Sequence, residues 1–164
     1  MNQRYRKTLM WVLYAVLFLF VLLLQTAVFG RTRYFGVKLS LIPVVLMCIA
    51  VWIGHENGGL FCLLASLFWY LAGAEDGPIA ILTLTVCGIL AGYFCVNFSR
   101  RFFPTMGVCF AALLVHEGTV FLMMYYLGSA PGALFVWVLK TAVLTLPAAP
   151  LCYLLAKAIR KVGN

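Results

Sequence analysis

The stretch Met1–Gly30, MNQRYRKTLMWVLYAVLFLFVLLLQTAVFG, decides the fold. Arg4, Arg6 and Lys7 precede an apolar run from about Leu9 to Phe29 in which only Gln25 and Thr26 are polar. A secretory signal peptide begins the same way, but its apolar region is shorter and ends at a small-residue cleavage site. No clear site of that kind follows here. The run is long enough for the roughly 20 residues that carry a helix across the hydrocarbon, so it reads as a retained signal anchor and a first transmembrane helix.

The rest of the chain repeats the pattern. Of 164 residues, 65% are hydrophobic and 10% charged, with a mean hydropathy of +1.07. The apolar residues come in long runs separated by short polar punctuation, which suits about six membrane helices and leaves no sizeable water-soluble domain. We therefore expect one all-α polytopic membrane domain over residues 1–164. Its spans fall at about 9–29, 37–53, 58–74, 79–98, 105–127 and 133–156. The breaks are GRTRYFGVK, GHENGG, EDGP, SRRFFP and GSAPG, rich in the Gly, Pro and polar residues that end helices.

Charge sets the orientation. With the amino terminus inside, Arg4, Arg6, Lys7, Arg100, Arg101, Lys157, Arg160 and Lys161 lie on the inner side, against Arg31, Arg33 and Lys38 on the outer side. That bias predicts both termini in the cytoplasm, with the basic first loop as the feature that disagrees. The net charge of +8 does not signal nucleic acid, because the cations cluster at span edges, where they meet lipid headgroups. Cys48, Cys62, Cys87, Cys95, Cys109 and Cys152 lie inside apolar segments without C-x-x-C spacing and read as small core hydrophobes.

Ionisable groups inside spans cost about 2.5–3.5 kcal/mol each and usually face protein or water. His116, Glu117 and Lys140 are such groups. Glu117 follows Arg101 by sixteen positions and Lys140 precedes Lys157 by seventeen. A rise of 1.5 Å per residue puts them about 24 and 26 Å above those basic markers. The fifth and sixth spans, joined by GSAPG, should be antiparallel neighbours, so a Glu117–Lys140 pair is expected to lock them together. The competing reading has Lys140 snorkelling outward and Glu117 protonated. His116 reads as a hydrogen-bonded interior residue rather than a ligand, pointing in its own direction on the wheel. Gly107, Ala111, Leu114 and Gly118 share one face, and Gly107, Ala111 and Gly118 give it the small residues that let a neighbouring helix approach closely. Pro147 and Pro150 should kink the sixth span, and Pro43 should act similarly in the second.

No catalytic pattern emerges. A zinc protease needs H-E-x-x-H, yet Val120 stands four after His116 and Gly59 four after His55. Glu75 and Asp76 read as the solvated rim of a turn. There is no nucleophile motif, phosphate-binding loop or cofactor fingerprint, and the reading is non-enzymatic with no cofactor or metal.

One resemblance covers essentially the full length. The apolar span ending LLLQTAVF, the segment NGGLFCLLASLFWYLAGAEDGPIAILTLTVCGILAGYF and the close LPAAPLCYLLAKAIRKV together resemble the bacterial rod-shape-determining MreD family. Gln25 matches a glutamine often found at the end of that family's first span. One motif departs: where members often carry G-x-x-x-G-x-x-x-D in the third span, the places after Gly59 hold Leu63 and Leu67. The resemblance implies a non-enzymatic scaffold of cell elongation in the bacterial cytoplasmic membrane. Its partners would be the bitopic protein MreC and, directly or through it, the actin-like MreB filament and the peptidoglycan polymerase and transpeptidase. It also implies a fold similar to the substrate-binding subunits of energy-coupling-factor transporters. That similarity supplies the rival, a vitamin- or metal-uptake subunit. Such subunits commonly carry A-x-x-x-A in the first helix, and here Leu19 follows Ala15 and Leu23 precedes Ala27 at those spacings.

Overall fold

The computed structural model describes residues 3–29, 36–73, 76–97, 101–128 and 135–163, which are predominantly helical and form no β-strand. Helix α1 (Gln3–Leu24) runs on into a π-helical turn, Gln25–Phe29. Helices α2 (Leu41–Ile53), α3 (His55–Leu71), α4 (Ile79–Asn97) and α5 (Phe102–Tyr126) follow. The last helical stretch is α6 (Phe135–Thr145), a 3-10 turn at Leu146–Ala148, and α7 (Ala149–Gly163).

Three helical stretches are long and apolar enough to cross a membrane: Tyr5–Phe29, Phe102–Tyr126 and Val136–Gly163. Large apolar side chains also cover the outside of the bundle; Leu23, Leu71, Leu82 and Phe103 are all more than 60% exposed. An aqueous surface would not keep so continuous an apolar coat. The chain is an all-helical membrane protein.

At the centre lies α2. LIPVVLMCIAVWI is apolar on every side, a pattern that belongs in a protein interior or a membrane. Here it is interior: every residue from Leu41 to Val51 is buried, among α1, α3, α4, α5 and α7. Its 13 residues rise only about 20 Å, less than the roughly 30 Å of hydrocarbon. The helix is therefore shorter than the 37–53 span expected from hydropathy; Lys38, Leu39 and Ser40 approach it as non-helical chain.

Glycine sets the packing beside it. Gly54, at φ +101°, separates α2 from α3 as a single left-handed residue. His55, Glu56 and Asn57 are then the first turn of α3, not part of a loop as GHENGG suggests. A Cβ on Gly58 would lie 3.0 Å from Ala50 Cα, and one on Gly92 would lie 2.7 Å from the backbone of Gly54 and His55. Thus α2, α3 and α4 meet backbone to backbone.

The first and last helices close the bundle. The Tyr14 hydroxyl of α1, fully buried, donates to the Ala156 carbonyl of α7 at 3.2 Å. Arg160 Nη1 reaches Met10 Sδ at 3.6 Å. Pro147 occupies the 3-10 turn and Pro150 the first turn of α7. Pro43, expected to bend the second helix, instead sits in the first turn of α2, where a missing N–H deletes no intrahelical bond.

Candidate functional site

The polar residues of the apolar runs gather at the end of the bundle where α1 finishes and α2 begins. An α-helix starts with N–H groups that have no partner within it, and in a buried helix each must be answered. Ser40 N–H donates to Thr145 Oγ1 at 3.3 Å. Leu41 and Ile42 N–H donate to Gln25 Oε1 at 2.7 and 3.1 Å. The next residue is Pro43, which has no N–H. Gln25 is therefore the cap of the central helix, supplied by the end of α1 from sixteen residues away.

Helix α5 turns a stripe of Thr105, Cys109, Ala112, Leu113, His116, Glu117 and Val120 inward. His116 and Glu117 straddle the middle of that stripe, so both are buried, at 0% and 5% exposure. His116 Nδ1 lies 3.2 Å from Thr83 Oγ1 on α4, and its ring packs at 6.1 Å from that of Trp69 on α3. Its Nε2 has no hydrogen-bond partner among the described residues; it faces Asp76 Oδ2 at 3.6 Å. Glu117 shares a cavity lining with Ser40 and Asp76, beside the amino-terminal end of α2.

Lys140 does not join this group, and the expected Glu117–Lys140 pair is not formed. The inward face of α6 is Val138, Thr141, Ala142 and Thr145. Lys140, one residue and about 100° from Thr141, is exposed with Val136, Leu139 and Val143. Equal height brings two side chains together only if they also face each other, and these two do not. Asp76, not Lys140, reaches this end of α5, and it faces His116. The turn after α3 brings this residue, read from sequence as a solvated rim, over the end of the bundle to 26% side-chain exposure. Glu75 lies outside the described residues, as do Arg31 and Arg33.

A cavity of about 330 Å³ opens at this end. Gln25, Lys38, Ser40, Asp76, Glu117 and the indoles of Trp69 and Trp137 line it. Among the described residues no group of three or more His, Cys, Asp or Glu side chains is arranged to hold a metal ion.

The small-residue face of α5 lies elsewhere. Gly107 and Ala111 are exposed and Gly118 is half-buried; a Cβ on Gly107 or Gly118 would meet nothing within 4 Å. Gly107 and Ala111 line a groove of about 530 Å³ between α4 and α5, walled by Leu90, Tyr93, Phe94 and Val115. Among the described residues no helix fills it.

Sequence reasoning missed Thr83, Trp69 and Ser40 as parts of one site, and read Asp76 only as the rim of a turn. Thr83 gave a signal, as a polar residue one turn into an apolar helix. The chain matches no known protein family, no curated protein and no solved structure.

Proposed function

We propose that this protein is a non-enzymatic membrane scaffold of the cell-elongation machinery, as the MreD resemblance implies. In this reading the six helical passes cross the bacterial cytoplasmic membrane with both termini inside, and the Gln25 end of the bundle faces outward. The partners are an MreC-like bitopic protein and, directly or through it, MreB and the peptidoglycan polymerase and transpeptidase.

The observation that supports it best is the α4–α5 groove. In lipid, helices associate through close packing rather than through a hydrophobic drive, and small residues permit that packing. Gly107 and Ala111 offer such a floor with no internal occupant. Gly58, Gly88 and Gly92, by contrast, are consumed inside the fold. The Gln25 cap agrees with a structural use of the glutamine that carries part of the resemblance.

The test is purification of the tagged protein from its native membranes in mild detergent, with mass spectrometry of its companions. An MreC-like coiled-coil protein, with or without wall-synthesis enzymes, is the expected result. Recovery of paired ATPases with a transmembrane coupling subunit would overturn the scaffold in favour of uptake.

A further inference from the structure

The cavity at the Gln25 end has a chemistry that scaffolding does not use. At about 330 Å³ it is of the size that holds a small molecule. Its described lining carries two carboxylates, Asp76 and Glu117, against one ammonium, Lys38. Glu117 is 95% enclosed by the protein yet still faces the cavity. Behind Asp76, the fully buried His116 Nε2 lacks a hydrogen-bond partner among the described residues and points at the Asp76 carboxylate from 3.6 Å. Trp69 and Trp137 supply aromatic walls.

We propose that this cavity binds a small organic ammonium compound. The carboxylates provide the countercharge and the indoles provide faces that attract a cation. Bare metal ions fit poorly: calcium takes six to eight oxygen ligands, and Gln25 Oε1 is already committed to Leu41 and Ile42. Anions fit poorly as well, because the carboxylates outnumber the single described ammonium in the lining. Asp76, partly exposed on the turn between α3 and α4, is the residue an entering ligand meets first, and Glu117 is the one it reaches at depth. The proposal does not depend on any protein partner.

The experiment is a titration of the purified full-length protein in lipid nanodiscs with ethylammonium, choline and 1,4-diaminobutane, followed by tryptophan fluorescence. Acetate, inorganic phosphate and calcium are the comparison probes. The expected result is a saturable change with at least one ammonium compound and none with the comparison probes. Glu117→Gln and Asp76→Asn should each weaken it by about tenfold, the equivalent of about 1.4 kcal/mol, and Trp137→Phe should remove much of the signal. If Glu117→Gln does not fold, Asp76→Asn decides, since it changes an exposed turn rather than the core. No saturable response to any ammonium compound would overturn the site. So would a preference for acetate, phosphate or calcium, or unchanged affinity in the carboxylate variants.

Discussion

The Oε1 atom of Gln25 accepts the Leu41 N–H at 2.7 Å and so ties the end of the first helix to the start of the central one. The same oxygen takes the Ile42 N–H at 3.1 Å. With Thr145 answering Ser40 and Pro43 carrying no donor, the buried amino terminus of α2 is left with no orphan N–H. One side chain thus permits a helix that is apolar on all sides to begin inside the protein.

Replacing Gln25 with Leu should therefore destabilise the protein by more than its partial burial suggests. Leaving buried donors unmet costs about 1–3 kcal/mol per group, and water in the adjoining cavity should recover part of that for two groups. We expect a net loss of about 1–3 kcal/mol. Gln25→Glu, which keeps an acceptor oxygen, should lose less than Gln25→Leu. Thermal unfolding in mild detergent, followed by loss of the monodisperse peak, gives the ranking; equal loss in both variants would mean the cap contributes little.

Lys140 offers the opposite expectation. It lies on the exposed side of α6, one step from the inward Thr141, so Lys140→Gln should change stability by no more than about 0.5 kcal/mol. Reversing both charges, Glu117→Lys with Lys140→Glu, should not rescue the Glu117→Lys variant. Restored membrane levels in the double variant would revive the ion pair and count against the described geometry.

The contrast between these two residues shows what the chain discloses and what it withholds. Hydropathy located the apolar cores of the helices, because apolar length is a local property, but the first helix begins at Gln3 and the last runs on to Gly163, beyond the expected bounds. Gln25 was legible as unusual but not as a cap, since its partners are sixteen and seventeen residues away. Glu117 and Lys140 were matched by height alone; azimuth about the helix, which separates them, depends on which face of α6 packs inward. Asp76 was unreadable for a different reason. A turn residue looks solvated in any sequence, and only the fold-back over His116 makes it part of a site. The uniform apolarity of α2 suited a lipid-facing helix and a buried one equally, and its shortness was the one hint of burial.

The cysteines give a prediction that tests the packing as a whole. All six are buried, with Cys48 and Cys109 side by side at 3.7 Å between sulfurs. A thiol must be exposed as thiolate to react readily, so the native protein in detergent should resist maleimide. Mass spectrometry after brief labelling should show mostly unmodified protein, and labelling in denaturant should add up to six adducts. Rapid native labelling of Cys48 or Cys109 would mean that the core around α2 opens far more readily than its burial implies.

Glycine separates folding from recognition most cleanly. At Gly92 a methyl group would sit 2.7 Å from the backbone of Gly54 and His55. Backbone at a helix junction cannot rotate away as a side chain would, so the junction must shift. Overpacking of this kind costs about 1–3 kcal/mol, and Gly92→Ala should fall at or above the upper end, with reduced membrane level and a lower unfolding temperature. At Gly107 the same methyl group meets nothing within 4 Å, so Gly107→Ala should fold normally and even gain slightly in helix propensity. A larger change there, Gly107→Leu, should still fold, because the side chain enters an open groove. Under the scaffold reading that leucine occupies the place of a partner helix. The variant should then reach normal levels in the membrane while losing co-purification with the MreC-like protein. Normal folding together with undiminished co-purification would remove the α4–α5 groove as the docking face. A folding defect at Gly107 as severe as that at Gly92 would instead mean that another part of the chain fills the groove.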